Sequence, residues 1–284
     1  MTVLAAELVH SIIDYLQDDV KALKACACTS RVWSSRSRYH LFRTLSVNVG
    51  RQWEFFGLLV LSDIVLQTII PLRVLVQDLV VSARHHQQPV PEESGVPSFS
   101  VTIQAFHHLL HSFPYLESLQ LKSVNILSLE PHWSPDDLPV PPRHLRSLDL
   151  SGTNSPPDDL LRVLRMFSSI KILCLNAHIV HWFPDRRTLQ AALVHPSLSS
   201  TLLPGSLQVS ELCLKDNVGW AAAMCLRIGP SLNLEHLQVV PHQLPIDMPA
   251  IGALLAATAL GPGLRRLSVF FDALSVRWNG SAGT

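Results

Sequence analysis

Charge is scarce in this chain, and it cancels. Lys plus Arg number 22, Asp plus Glu number 22, and together they make up 15% of the 284 residues. A balance of this kind removes the general electrostatic reason to expect nucleic acid or an anionic membrane as partner. Cysteine is scarce as well. The five (Cys26, Cys28, Cys174, Cys213, Cys225) are odd in number and scattered, and none forms a C-x-x-C pair. A chain this long and this apolar does not depend on disulfide staples, so free thiols in a reducing compartment are expected. No apolar run reaches membrane length unbroken, because the longest, residues 55–72, is interrupted by Asp63, Gln67 and Pro71. The N-terminus lacks a basic region and carries Glu7 and Asp14 inside its apolar stretch, so no secretory signal is read there. Cytoplasm or nucleus is the expected compartment.

Catalytic motifs are missing too. There is no GxSxG, HExxH or GxxxxGK[ST]. His107 and His111 stand four apart on a predicted helix, a spacing that could bring two imidazoles to one metal, but no acidic partner completes a motif and a surface helix explains them. Cys26 and Cys28 lie on an apolar helix face and read as packing. The pairs Asp18-Asp19, Asp136-Asp137 and Asp158-Asp159 each fall at a turn or helix start, where capping accounts for them. The chain is therefore expected not to be an enzyme, with no cofactor and no metal.

What the sequence does contain is apolar material, 48% of the chain, arranged in a repeated phrase. An apolar residue, two variable positions, an apolar residue, one variable position and a final apolar residue occur at Val76-Leu79-Val81, Leu116-Leu119-Leu121, Leu145-Leu148-Leu150 and Ile170-Leu173-Leu175. The phrase returns at Val209-Leu212-Leu214, Leu234-Leu237-Val239 and Leu264-Leu267-Val269, and Phe42-Leu45-Val47 is an early copy. The middle leucines are spaced from 25 residues (Leu148 to Leu173) to 40 residues (Leu79 to Leu119), against about 20–29 for leucine-rich repeats, so the longer intervals need insertions. Period-two alternation within each phrase marks a strand with one buried face.

Helical patterns fall between the phrases. Ile103, Phe106, Leu109, Leu110 and Phe113 mark one. Pro156-Pro157-Asp158-Asp159 starts another, running through Leu160, Leu161, Val163, Leu164 and Phe167. Residues 187–195, 220–228 and 250–260 give three more, with glycine and proline after the last two as stops. The stretch 122–143 is proline-rich and read as irregular, and 87–97 as an exposed loop. Phe270, Phe271 and Trp278 are expected to cover the open end of the last repeat. Strand and helix in alternation also describe a doubly wound α/β sheet. The lack of a Gly-rich phosphate turn and the shared internal pattern of the strands favour stacked leucine-rich repeats instead.

The N-terminal stretch is different in kind. Residues 4–47 place Leu4, Leu8, Ile12 and Leu16 at four-residue steps on a first predicted helix. Asp18-Asp19 begin a second helix carrying Leu23, Ala27 and Cys28, and Thr29 or Ser30 caps a third carrying Trp33, Arg36 and Tyr39. So small a bundle cannot hide all this surface within itself, which points to an interaction module.

These residues resemble the F-box family, with Leu4-Ala5-Ala6-Glu7-Leu8 at the start and Ser30-Arg31-x-Trp33 later. Ala5 stands where the family's usual proline would pre-set the turn into the first helix. The resemblance covers about the first 45 residues, and the phrases behind it are similar to the irregular leucine-rich repeats found after many fungal F-boxes.

The resemblance implies a small N-terminal three-helix F-box (residues 1–48) followed by a curved leucine-rich-repeat solenoid (residues 49–284), an α/β repeat fold. It implies a non-catalytic substrate receptor of a cullin-RING ubiquitin ligase. Leu4, Glu7, Leu8, Ile12, Leu16, Leu23 and Trp33 would meet a Skp-type adaptor, and through it a cullin. A protein target would lie on the solvent-facing strand positions, with Gln120, Lys122, Asp149, Asn176, Glu211, Lys215, His236, Gln238 and Arg266 as candidates. No nucleic acid or membrane is expected among the partners. The alternative is a repeat scaffold outside any ligase, its N-terminal helices serving as a cap.

Overall fold

The computed structural model describes residues 5–49, 72–83, 99–127, 143–153, 155–177, 207–216, 218, 221–222, 225, 234–241, 244–259, 263–271 and 274–279. It opens with three helices, α1 (Ala6–Tyr15), α2 (Val20–Thr29) and α3 (Arg31–Arg43). Asp19 caps α2, its Oδ1 accepting from the backbone N–H of Lys21 and Ala22 at 3.0 Å each, as an acidic residue before a helix should. Ser30 holds the N-cap position of α3 without a side-chain bond, its carbonyl accepting from Ser34 N–H at 2.8 Å. The three helices close on a small core of their own, formed by Val9, Ile13 and Leu23 with Leu16, Trp33 and Leu41 packed against it.

From α3 the chain passes directly into β1 (Thr44–Val49). There follow α4 (Leu72–Leu75), β2 (Asp78–Ala83), β3 (Ser100–Thr102), α5 (Ile103–Ser112), β4 (Ser118–Lys122), β5 (Asn125–Leu127) and β6 (Arg143–Ser151). The chain continues with α6 (Pro157–Leu164), β7 (Phe167–Ala177), β8 (Gln208–Asp216), β9 (His236–Pro241), α7 (Leu244–Ala259), β10 (Arg266–Phe271) and β11 (Leu274–Asn279). Nine strands form one sheet in the order β1-β2-β4-β6-β7-β8-β9-β10-β11, and β3 pairs with β5 apart from it. Every pairing in the large sheet is parallel except the last, β10 with β11.

All eight copies of the phrase are strands, and their middle leucines meet. Leu45, Leu79, Leu119, Leu148, Leu173, Leu212, Leu237 and Leu267 are register partners from β1 to β10. Those from Leu79 to Leu237 are buried, and Leu45 and Leu267 at the two ends pack partly buried against the same core. Residues two further on, such as Val81, Leu121, Leu150 and Leu175, form a second buried row. α5 and α6 supply Ile103, Phe106, Leu109, Leu160, Val163 and Leu164 to the same core. Thr102 caps α5 by accepting from Ala105 N–H, and Ser155 Oγ accepts from Ile126 N–H at 2.6 Å, satisfying a buried donor.

The expected three-helix F-box followed by a curved leucine-rich-repeat solenoid is overturned. The chain is a mixed α/β protein built on one large sheet, eight of whose strands are parallel. α3 ends at Arg43, β1 begins at Thr44, and Gln77 N–H donates to the Arg43 carbonyl at 2.9 Å. The described parts of the connections do not repeat. Among the described residues, α4 lies between β1 and β2, β3 and α5 between β2 and β4, β5 alone between β4 and β6, and α6 between β6 and β7. The repeated phrase is the burial signature of a strand and sets its register, but it carries no information about what joins one strand to the next. A doubly wound sheet is not formed either, for the strands lie in chain order without a reversal.

Smaller corrections follow the same logic. Phe167 opens β7 and does not extend α6, which ends at Leu164. α7 begins at Leu244, before Ala250, and carries Pro249 within it. The short strands β3 and β5 were not foreseen. The loop expected at 87–97 and the helix at 187–195 lie outside the described residues, as does most of 220–228. Of the residues expected to cover the open end, Phe270 and Phe271 close β10 itself, and Trp278 lies on the antiparallel β11 opposite Leu267.

Candidate functional site

Two surfaces carry the residues singled out from the sequence. On α1 the apolar residues fall in two adjacent stripes. Val9, Ile13 and Leu16 follow one line, at i, i+4 and i+7, and face the small core. Leu8, Ile12 and Tyr15 follow the next line around the helix and are 55%, 42% and 90% exposed. The core therefore uses only one of two stripes. Val20, Val32 and Phe42 add further exposed apolar side chains to the same three helices.

The proposed adaptor residues divide accordingly. Leu8 and Ile12 are exposed, Glu7 is exposed at the start of the helix, and Leu16 and Trp33 are partly buried against the core. Leu23 is buried within that core, and Leu4 lies outside the described residues. Ala27 is half-buried and Cys28 exposed, so the inward face of α2 is narrower than its sequence suggests. Tyr15, Val20, Val32 and Phe42 were missed by sequence reasoning. Tyr15 was within reach of it, being seven residues beyond Leu8.

A polar clasp holds the helices together from the opposite side of the chemistry. Asp14 receives hydrogen bonds from Arg36 Nε and Nη2 at 2.6 and 2.8 Å, and His40 Nε2 lies 2.7 Å from Asp14 Oδ1. Bidentate geometry of this kind is the strong form of the Arg–carboxylate pair. The bonds from Arg36, and then from His40, hold the Asp14 carboxyl well below the usual carboxylate range. Arg36 also lies over the Tyr39 ring, 4.8 Å from its centre. Tyr39 in turn accepts from Gln77 Nε2 at 3.3 Å, a link between α3 and the entry to β2.

The second surface is the sheet face turned away from the core. Parallel register places its side chains in rows that cross the strands. Ser118, Ser147, Ile172, Glu211, His236 and Arg266 form the first row. Gln120, Asp149, Cys174, Cys213, Gln238 and Ser268 form the second. Lys122, Ser151, Asn176, Lys215 and Val240 form the third. All nine proposed target-binding residues fall in these rows. Glu211, His236 and Arg266 are consecutive in the first, Gln120, Asp149 and Gln238 belong to the second, and Lys122, Asn176 and Lys215 to the third.

The rows mix signs and donors. Lys122, Lys215 and Arg266 are exposed, while Asp149, Glu211 and His236 are half-buried. Gln120 Nε2 donates to Asp149 Oδ2 at 2.6 Å, and Ser151 Oγ donates to Asp149 Oδ1, so Asp149 is oriented from both sides. Asn176 Oδ1 is buried with no hydrogen-bond partner among the described residues. Beside the first row, Asp78 pairs with Arg146 at 2.8 Å and Arg43 at 3.8 Å, tying β2 to the end of α3 and to β6. At the centre, Cys174 and Cys213 are direct register partners, Cys174 half-buried and Cys213 buried.

His107, His108 and His111 all lie on α5. His107 is half-buried on α5, and burial together with His108, His111 and Arg143 lowers its pKa, while His108 and His111 are exposed. Among the described residues no three His, Cys, Asp or Glu side chains converge, and no helix is long and apolar enough to cross a membrane. Comparison with family models, with curated proteins and with solved structures finds no match.

Proposed function

We propose that the protein is a non-catalytic substrate receptor of a cullin-RING ubiquitin ligase. The exposed stripe of α1 docks a Skp-type adaptor, and through it a cullin, while the open face of the sheet holds a protein target. Such a receptor breaks no bond of its own; it raises the effective concentration of target lysines near the ubiquitin-loaded enzyme. The observation that carries the reading is the doubled apolar face of α1. Val9 and Ile13 already satisfy the core, yet Leu8, Ile12 and Tyr15 stand in solvent beside them. Full burial of a Leu or Ile is worth roughly 1.5–3 kcal/mol, so covering the exposed half of each would gain about 1 kcal/mol per side chain. The resemblance of Leu4-Ala5-Ala6-Glu7-Leu8 and Ser30-Arg31-x-Trp33 to the F-box pattern names the kind of partner. The open sheet face suits a protein target because its rows mix signs and short polar groups and lack a basic stripe.

A second reading is favoured by one feature, the unbroken passage from α3 into β1. On that reading the helices only cover the β1 end of the sheet, and the protein is a scaffold outside any ligase. Ile12→Asp separates the two. In the receptor it abolishes co-purification of the Skp-type adaptor while circular dichroism is unchanged. Undiminished adaptor recovery with intact circular dichroism overturns it.

A further inference from the structure

We propose that Cys174 and Cys213 are an oxidisable dithiol at the centre of the open sheet face, closing to a disulfide when a hydroperoxide is the oxidant. The two are register partners on neighbouring parallel strands, β7 and β8. Their side chains therefore leave the sheet on the same side, with Cα atoms about 4.8 Å apart, inside the roughly 4.4–6.8 Å range that a disulfide spans. Cβ atoms on parallel neighbours stay near that same separation, beyond the roughly 3.5–4.5 Å of relaxed disulfides, so closing the bond draws the two strands together locally. The resulting bond is strained and easily reduced, which suits a reversible modification and not a structural staple.

No other pair among the five cysteines has this geometry. Cys26 and Cys28 are two apart on one helix and project in nearly opposite directions. Cys225 is fully buried, and burial pushes its thiol up to about 12. The central pair is also chemically asymmetric. The neighbouring Cys174 thiol lowers the pKa of Cys213 and Lys215 adds to the effect, with burial of Cys213 opposing both, while the pairing with Cys213 and burial raise the pKa of Cys174. Cys213 is therefore the sulfur that ionises first.

The chemistry balances in two steps. The Cys213 thiolate attacks one peroxide oxygen, the O–O bond breaks, and the departing hydroxide takes up a proton as water, leaving a sulfenic acid. Cys174 sulfur then attacks Cys213 Sγ. The S–S bond forms, the S–O bond breaks, and the hydroxide leaves with the Cys174 proton as a second water. Two thiols lose two electrons in all, and the peroxide gains them. The disulfide sits between Asp149 and Gln238 in the second row, so oxidation changes the middle of that face whatever it binds.

The test treats the full chain with stoichiometric hydrogen peroxide, quenches it by alkylation and maps peptides by mass spectrometry. The expected product is a linked peptide joining Cys174 to Cys213, lighter by two hydrogens and released by dithiothreitol. Cys174→Ser should stop at a sulfenic acid on Cys213 that dimedone traps, and Cys213→Ser should give neither product. Recovery of both residues as free thiols while exposed Cys28 oxidises would overturn the proposal, as would linkage of either to a different cysteine. Should the serine variants fail to fold by circular dichroism, the wild-type chain still decides: phenylarsine oxide, which needs two neighbouring thiols, must protect Cys174 and Cys213 together from alkylation, and failure to protect them counts against the site.

Discussion

The helices at the start of the chain and the sheet behind them are both rich in leucine, isoleucine and valine, yet they hide them very differently. In the sheet, each interior leucine of the ladder from Leu79 to Leu237 has an identical neighbour on either side, and all are essentially closed to solvent. In the helices, three apolar residues are fully buried while six large ones, Leu8, Ile12, Tyr15, Val20, Val32 and Phe42, stay exposed to water. The difference lies in repetition. A strand's buried face continues into the next strand, whereas a short helix with two apolar stripes has a neighbour for only one of them.

The ladder supplies the harshest way to test that contrast. Leu148→Ala removes a fully buried side chain with a leucine on each side and should cost about 3 kcal/mol, read as a lower urea midpoint for the whole chain. Ile13→Ala should cost about 2 kcal/mol, but hydrogen exchange should show the loss confined to α1, α2 and α3 while the sheet amides stay protected. Equal loss of protection in the sheet would mean that the two cores unfold as one.

A smaller effect belongs to the polar clasp. Asp14→Asn should cost about 1 kcal/mol or less, since the carboxylate is 41% exposed and solvent screens it. Because the folded pKa of Asp14 is depressed, its stabilising effect is complete above the unfolded value near pH 4 and declines as pH falls below it. Thermal melts should show a loss of helix stability below about pH 4 that Asp14→Asn reduces. The smallest change in stability is expected for Ile12→Asp, within about 0.5 kcal/mol, although the same substitution should have the largest effect on adaptor binding. A large loss of stability there would show that the outer stripe of α1 is core after all.

Much of this could be read from the chain, and the reasons are local. The phrase around each middle leucine marked every parallel strand of the large sheet, because a half-buried strand repeats every two residues. Aligning the phrases already puts Cys174 opposite Cys213, both lying between the last two apolar positions. The stripe on α1 was legible only in part: Leu8 and Ile12 were visible as apolar, but Val9 and Ile13, one residue later, are the ones that face inward. The clasp of Asp14 with Arg36 and His40 left no signal, since its members lie 22 and 26 residues apart in the chain.

By itself the order of residues determined where the strands that carry the phrase form and which of their side chains share a row, since period-two burial depends on neighbours within a few positions. Only the tertiary structure decided that one continuous sheet runs on from α3, and which of two apolar stripes on α1 is buried. Both depend on what packs against an element, and a helix with more apolar surface than its neighbours can cover has no local preference for the stripe it turns inward.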